Sequence, residues 1–199
     1  ARSMTRSEAA AIFARLLAEK NGDTISTAAN TKFADIPAHA WYSGYVKYLS
    51  NNGITYGKNK TIFAPNDAIT RAEFTTMAVR FFDVYGDGDA EIMEQFSGFN
   101  DVSSGYWAAE YIKYAALHGW INGYGDGSFH ADREINRAEV VTIVNRLLGR
   151  EADEDYIAYN LRKLNTFPDV TKRHWAYYAV MEAANAHTAV LGESESWSK

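Results

Sequence analysis

"AITRAEF", residues 68–74, is the middle one of three near-copies: "SMTRSEA" stands at 3–9 and "EINRAEV" at 134–140. In register, Arg6, Arg71 and Arg137 lie 65 and 66 positions apart. A second series keeps the same ruler. Trp41, Trp107 and Trp175 are 66 and 68 apart, and an aromatic-x-Asp phrase precedes each: "FADI" (33–36), "FNDV" (99–102) and "FPDV" (167–170). Twelve residues after the first two tryptophans come Gly53 and Gly119, where the third has His187. Self-similarity at such a period marks a repeat architecture, in which units bury their apolar faces on one another.

One unit reads Phe-x-Asp, a short turn, Trp opening a helix, Gly closing it, a glycine-rich loop, then the Thr-Arg-Ala-Glu phrase opening a second helix. Complete units span 33–82 and 99–148, while 1–20 supplies the second half of a unit and 167–187 the first half of one. The expected fold is all-α: a single domain over 1–199 of three helix-loop-helix repeats in a pseudo-threefold spindle, with the two chain ends together completing a unit. In "ITRAEFTTMAVRFF", Phe74, Met77, Ala78, Phe81 and Phe82 recur at helical spacing. In the second tryptophan helix, Trp107, Tyr111, Ile112, Ala115 and Ala116 share one side, and Gly119 suits the left-handed residue that stops it. Short helices are expected at 89–96 and 153–163, and no strands beyond two-residue extended pairs near 61–63 and 128–130.

Composition narrows the function. With 47 % hydrophobic residues the chain can bury a core, and without cysteine it has no disulfides, thiolate metal sites or cysteine nucleophiles. A net charge of −5 gives no general attraction to nucleic acid or an anionic membrane, though a local cationic pocket is compatible with it. No apolar run reaches a membrane span, and the start does not read as a signal peptide, which suggests an excised piece. "YGDGDAE" (85–91) and "YGDGS" (124–128) lack the closing glutamate of a calcium loop, and the five histidines lack metal spacing. No nucleophile elbow, P-loop or catalytic dyad is present, so neither an enzyme nor a metal or cofactor is expected.

The repeated phrase is a capping box, Thr5/Glu8, Thr70/Glu73 and Asn136/Glu139, which explains its Thr, Asn and Glu. Arginine it does not explain. At the first helical position the dipole disfavours an exposed cation by about 0.3–1 kcal/mol, so three copies imply an anion opposite. One candidate is an inter-repeat ion pair with Asp35, Asp101 or Asp169. The other is an external carboxylate or phosphate held by the guanidinium and the free amides of the helix N-terminus. A second arginine nine positions on (Arg15, Arg80, Arg146) sits near the helix C-terminus and needs no function.

"FNDVSSGYWAAEYIKYAALHGWINGYGDGSFHADREINRAEV", residues 99–140, resembles an S-layer homology repeat, and the threefold series resembles the S-layer homology domain. That resemblance implies an exported bacterial cell-surface module, fused to a larger protein. It would bind a secondary cell-wall polysaccharide bearing a pyruvate ketal, without covalent attachment, in grooves between units. It implies Arg6, Arg71 and Arg137 as anion-binding residues, and Trp41, Trp107 and Trp175 with Asp35, Asp101 and Asp169 as groove walls. A Gly-Tyr-Gly loop (Gly123, Tyr124, Gly125) would add amides and an aromatic face, of which "TYGKNKTIF" keeps Tyr56 and Gly57. Grooves using Arg71 or Arg137 are favoured over the one using Arg6. Read without the resemblance, a tryptophan opening a helix is more often a core anchor, the aspartates are turn residues, and the tyrosines beside the tryptophan helices are packing. The alternative function is a structural assembly module whose arginines are consumed internally.

Overall fold

The computed structural model describes residues 2–86, 96–190 and 196–198. The chain forms two compact units, Ala1–Ile135 and Asn136–Lys199. The fold is all-α with one small hairpin. The segment expected as a helix at 89–96 lies, all but its last residue, outside the described residues.

Among the described residues the first unit holds α1 (Arg6–Asn21), α2 (Ser43–Asn51), α3 (Arg71–Tyr85) and α4 (Ala109–Leu117). The capping boxes form as the sequence requires: Thr5 and Thr70 accept from the Glu8 and Glu73 amides at 3.2 Å, and each glutamate accepts from its cap residue's amide. The nine-residue helices α2 and α4 are too short to stand alone. Each ends before a left-handed glycine, Gly53 (φ 74°) and Gly119 (φ 68°), as expected for the second of them. Each packs on the helix before it, α2 on α1 and α4 on α3. Phe74, Met77, Ala78 and Phe81 are buried from α3, and Ile112, Ala115 and Ala116 from α4.

The three phrases meet in a closed ring of backbone hydrogen bonds. Met4 N–H donates to Ile135 C=O (3.1 Å), Ile135 N–H to Ile69 C=O (3.0 Å), and Ile69 N–H to Met4 C=O (2.9 Å). These residues are equivalent, each two before its arginine, and all are buried. A cyclic set of three identical roles is a local threefold arrangement built from main chain.

The loop between the helices of a unit is folded by its Phe-x-Asp phrase. The Asp35 carboxylate accepts from the amides of Phe63 (2.9 Å) and Ala64 (2.6 Å), and Asp101 accepts from Phe129 and His130, both at 2.7 Å. Ala64 and His130 are left-handed (φ 59° and 54°), unusual for residues with a Cβ. Two charge-assisted bonds per carboxylate hold that turn. At 61–63 and 128–130 no strands form, and the backbone bonds there are those of the loops: Ala34 N–H to Thr61 C=O, Lys58 N–H to Ile62 C=O and Tyr124 N–H to Ser128 C=O.

The second unit holds α5 (Arg137–Leu147), α6 (Glu154–Asn160), a 3-10 turn (Leu161–Lys163), α7 (Tyr177–Ala184) and the strands β1 (Thr188–Val190) and β2 (Ser196–Ser198). Asn136 completes its own capping box with Glu139. α6 and the 3-10 turn fill the helix expected at 153–163. The antiparallel β1/β2 pair was not legible, because three-residue strands leave no alternation to read. Trp197 of β2 is buried with Ile157, Tyr177 and Met181. Its amide donates to Asp153, and its ring stacks on His187 at 3.8 Å.

Candidate functional site

Arg6 and Arg71 are buried, at 4 % and 5 % exposure, and neither pairs with the aspartate of a Phe-x-Asp phrase. Arg6 Nε donates to the Phe63 carbonyl (2.8 Å) and Arg71 Nε to the Phe129 carbonyl (2.9 Å). Each guanidinium also lies over that phenylalanine's ring, at 5.0 and 4.4 Å. Arg71 Nη2 donates further to Asn122 C=O. The expected Asp–Arg ion pairs are thus replaced by a shared grip: aspartate takes the N–H of a phenylalanine whose C=O the arginine takes. The carboxylate that Arg6 does meet is Glu73, at 3.0 Å, and Lys58 joins it at 2.6 Å. Burial pushes the Glu73 carboxyl up, but Lys58 and Arg6 outweigh it and hold the group below the usual range.

The N-terminal amides of α1 and α3 are not free, so in these two helices the expectation that they would hold an external anion is not met. Arg6 N–H and Ser7 N–H donate to Asp67 and Pro65 carbonyls, and Arg71 N–H and Ala72 N–H donate to Arg133 and Ala131 carbonyls. The next donor in each helix goes to the cap side chain. Loop carbonyls from the following repeat have taken the place of an anion.

The three tryptophans are not core anchors: Trp41, Trp107 and Trp175 are 55 %, 56 % and 65 % exposed. Each lies one residue before the N-cap of its helix, in a turn, so its ring falls outside the buried stripe. Trp41 stands beside Tyr42 and Tyr45. Trp107 forms part of a groove of about 500 Å³. The rest of the groove comes from Arg6, from the loop Ile54–Lys58, from Thr70, Glu73, Thr76, Met77 and Arg80 at and along α3, and from Asp132. Three cations and two carboxylates line it, a locally positive site in a chain of net charge −5. Tyr106 donates to Asp132 at 2.6 Å, and burial together with that bond pushes its hydroxyl up to about 12.

The structure therefore gathers four expected site residues, Arg6, Trp107, Tyr56 and Gly57, into one groove. Arg71 packs instead under the loop of Tyr124, whose ring lies 5.2 Å from its guanidinium. Gly57 and Gly123 serve packing: a Cβ on either would stand 2.5 Å from the ring of Phe33 or Phe99. Gly125 is open, with nothing near its missing Cβ. The loops superpose with Lys58 as the counterpart of Tyr124, since Lys58 N–H bonds Ile62 C=O where Tyr124 N–H bonds Ser128 C=O. Tyr56 is thus the counterpart of Asn122 rather than of the loop tyrosine. In the second unit Arg137, Asp169 and Trp175 are all exposed.

Sequence reasoning missed Lys58 and Arg80. Arg80 does not sit in the last turn of α3 but mid-helix, where its Nε and Nη2 donate to Tyr111 Oη (3.2 and 3.0 Å). Arg15 makes the same bonds to Tyr45. The regular spacing of Arg15 and Arg80 was the available signal.

A chain of helix-loop-helix repeats, presenting an exposed tryptophan and several cations in a groove, has the form of a binding module. The family model of the S-layer homology domain matches residues 32–75 and 98–141, so the chain carries S-layer homology repeats at both places. Over 98 % of its length it is 32 % identical to cell surface glycoprotein 1 of Acetivibrio thermocellus, and over 96 % it is 30 % identical to the cellulosome-anchoring protein of the same organism. A surface-layer 125 kDa protein of Lysinibacillus sphaericus is 30 % identical over 74 % of the chain. The chain spans only 8 %, 41 % and 12 % of these relatives' lengths.

Proposed function

We propose that this chain anchors a larger exported protein to the bacterial cell wall, without covalent attachment and without catalysis of its own. It does so by binding an acidic, pyruvate-ketal-bearing wall polysaccharide in grooves between repeats. The observation that carries the reading is the groove itself. An exposed indole offers a flat apolar face to a pyranose ring, and the cations beside it suit a carboxylate. The S-layer homology repeats and relatives named for the cell surface and for cellulosome anchoring support the location and the role. The proposal includes three repeats of one kind: α5 packs on α7 as α1 packs on α2 and α3 on α4, which supports a third helix pair like the other two.

A second reading, a structural assembly module, is favoured by the internally satisfied Arg6 and Arg71. The groove beside Arg6 is what that reading leaves without a purpose. The test is co-sedimentation with purified wall polysaccharide, before and after mild-acid removal of its ketals. Binding that needs the ketal and is lost in Trp107→Ala supports the anchor. No binding by the wild type supports assembly.

A further inference from the structure

Resting on that reading, we infer that Arg80, and not the phrase arginine Arg6, is the group that receives the ligand's carboxylate in the groove of Trp107. Arg6 is spent: one nitrogen is on the Phe63 carbonyl, another on Glu73, and the guanidinium is almost fully covered. Lys58 is held by the same Glu73. Arg80 differs from both, since among the described residues no carboxylate pairs with it.

Arg80 is also oriented. Its guanidinium lies between two tyrosine rings, 4.7 Å from Tyr56 and 4.9 Å from Tyr111. The Tyr111 hydroxyl occupies its Nε/Nη2 side. A guanidinium has five N–H donors, so the Nη1/Nη2 end remains for a carboxylate, in the bidentate geometry that arginine favours. One turn earlier on α3, Thr76 lines the same groove, and its buried hydroxyl has no hydrogen-bond partner among the described residues. The Arg15–Tyr45 pair shows that the arginine–tyrosine contact by itself is a packing device of the repeat. At Arg80 a groove lies beside it, with Tyr56 and Trp107 among the other walls.

The experiment is calorimetric titration with a short wall-polysaccharide fragment carrying one pyruvate ketal, and with its ketal-stripped form. The proteins compared are the wild type, Arg80→Gln and Arg15→Gln, with melting curves confirming that each variant is folded. Arg80→Gln is expected to lower the saturation stoichiometry by one or, where the wild type takes a single fragment, to weaken it at least tenfold. Arg15→Gln, which removes the same tyrosine contact outside the groove, is expected to bind as the wild type does. Unchanged stoichiometry and affinity in Arg80→Gln, or an equal loss in Arg15→Gln, overturns the assignment. A wild type that binds both fragments equally, or neither, overturns instead the acidic-glycan reading on which it rests.

Discussion

Asp35 and Arg6 hold the same residue from its two ends: the aspartate accepts the Phe63 amide at 2.9 Å, and the arginine donates to the Phe63 carbonyl at 2.8 Å. Asp101 and Arg71 repeat the grip on Phe129. In both repeats the aspartate and the arginine together fix the backbone of the loop between the helices.

Arg6→Ala is therefore expected to cost about 3 kcal/mol, the usual penalty for removing one partner of a buried ion pair. It removes the guanidinium from the Phe63 carbonyl and leaves Glu73 to Lys58 and the Thr70 amide. Arg137→Ala, at an exposed position, is expected to cost about 1 kcal/mol or less. Urea denaturation of both variants checks the contrast, and equal losses would contradict it.

Trp107→Ala should behave in the opposite way. With its ring mostly in solvent, its removal is expected to move stability by no more than about 0.5 kcal/mol, while wall-polysaccharide binding through this groove is lost. A variant that melts well below the wild type would instead show that the ring supports the fold.

The glycines of the loops separate by what their Cβ would meet. Gly57→Ala and Gly123→Ala each drive a methyl into a phenylalanine ring and a carbonyl oxygen, and are expected to destabilise by about 1–3 kcal/mol. Gly125→Ala meets nothing and is expected to be neutral. Thermal melts of the three variants give the comparison.

Ala64→Gly should stabilise, by up to about 1 kcal/mol. A left-handed residue with a Cβ is strained by roughly 1–2 kcal/mol, and glycine's extra freedom in the unfolded chain takes back part of the gain. Chemical denaturation measures the shift, and a lower midpoint for the variant would contradict it.

Stability should fall in acid. At Asp101 burial works against ionisation, but the amides of Phe129 and His130 prevail and hold the carboxyl below its ordinary range. Glu73 is lowered too, and at Glu8 the hydrogen bond from Arg2 leads, bringing the group down to about 2. A carboxylate whose folded pKa lies below its unfolded value contributes stability that is complete above the unfolded value, near 4, and is lost as pH falls through the folded one. Denaturation midpoints are expected to be level from about pH 7 to 5 and to drop between about 4 and 2. Asp101→Asn should flatten part of that drop.

The repeat was written in the sequence because its determinants are local. A capping box, a left-handed glycine and an apolar stripe each act within one or two turns, so α1, α3, α5, the stops at Gly53 and Gly119 and the helix near 153–163 could be placed before any tertiary contact was known. The hairpin of β1 and β2 could not, since three-residue strands have no periodicity and Trp197 is buried by residues far from it in the chain. The direction of each side chain escaped for the same reason. Nothing near Arg6 in the chain says that it meets Phe63 and Glu73, nothing near Arg80 says that Tyr56 and Tyr111 flank it, and a tryptophan one residue before its helix differs by one position from one that would be buried. Local free energies of about a kilocalorie fix where helices begin and end. Which charges are spent inside the scaffold and which face a groove depends on partners beyond the reach of local structure, and only packing brings those together.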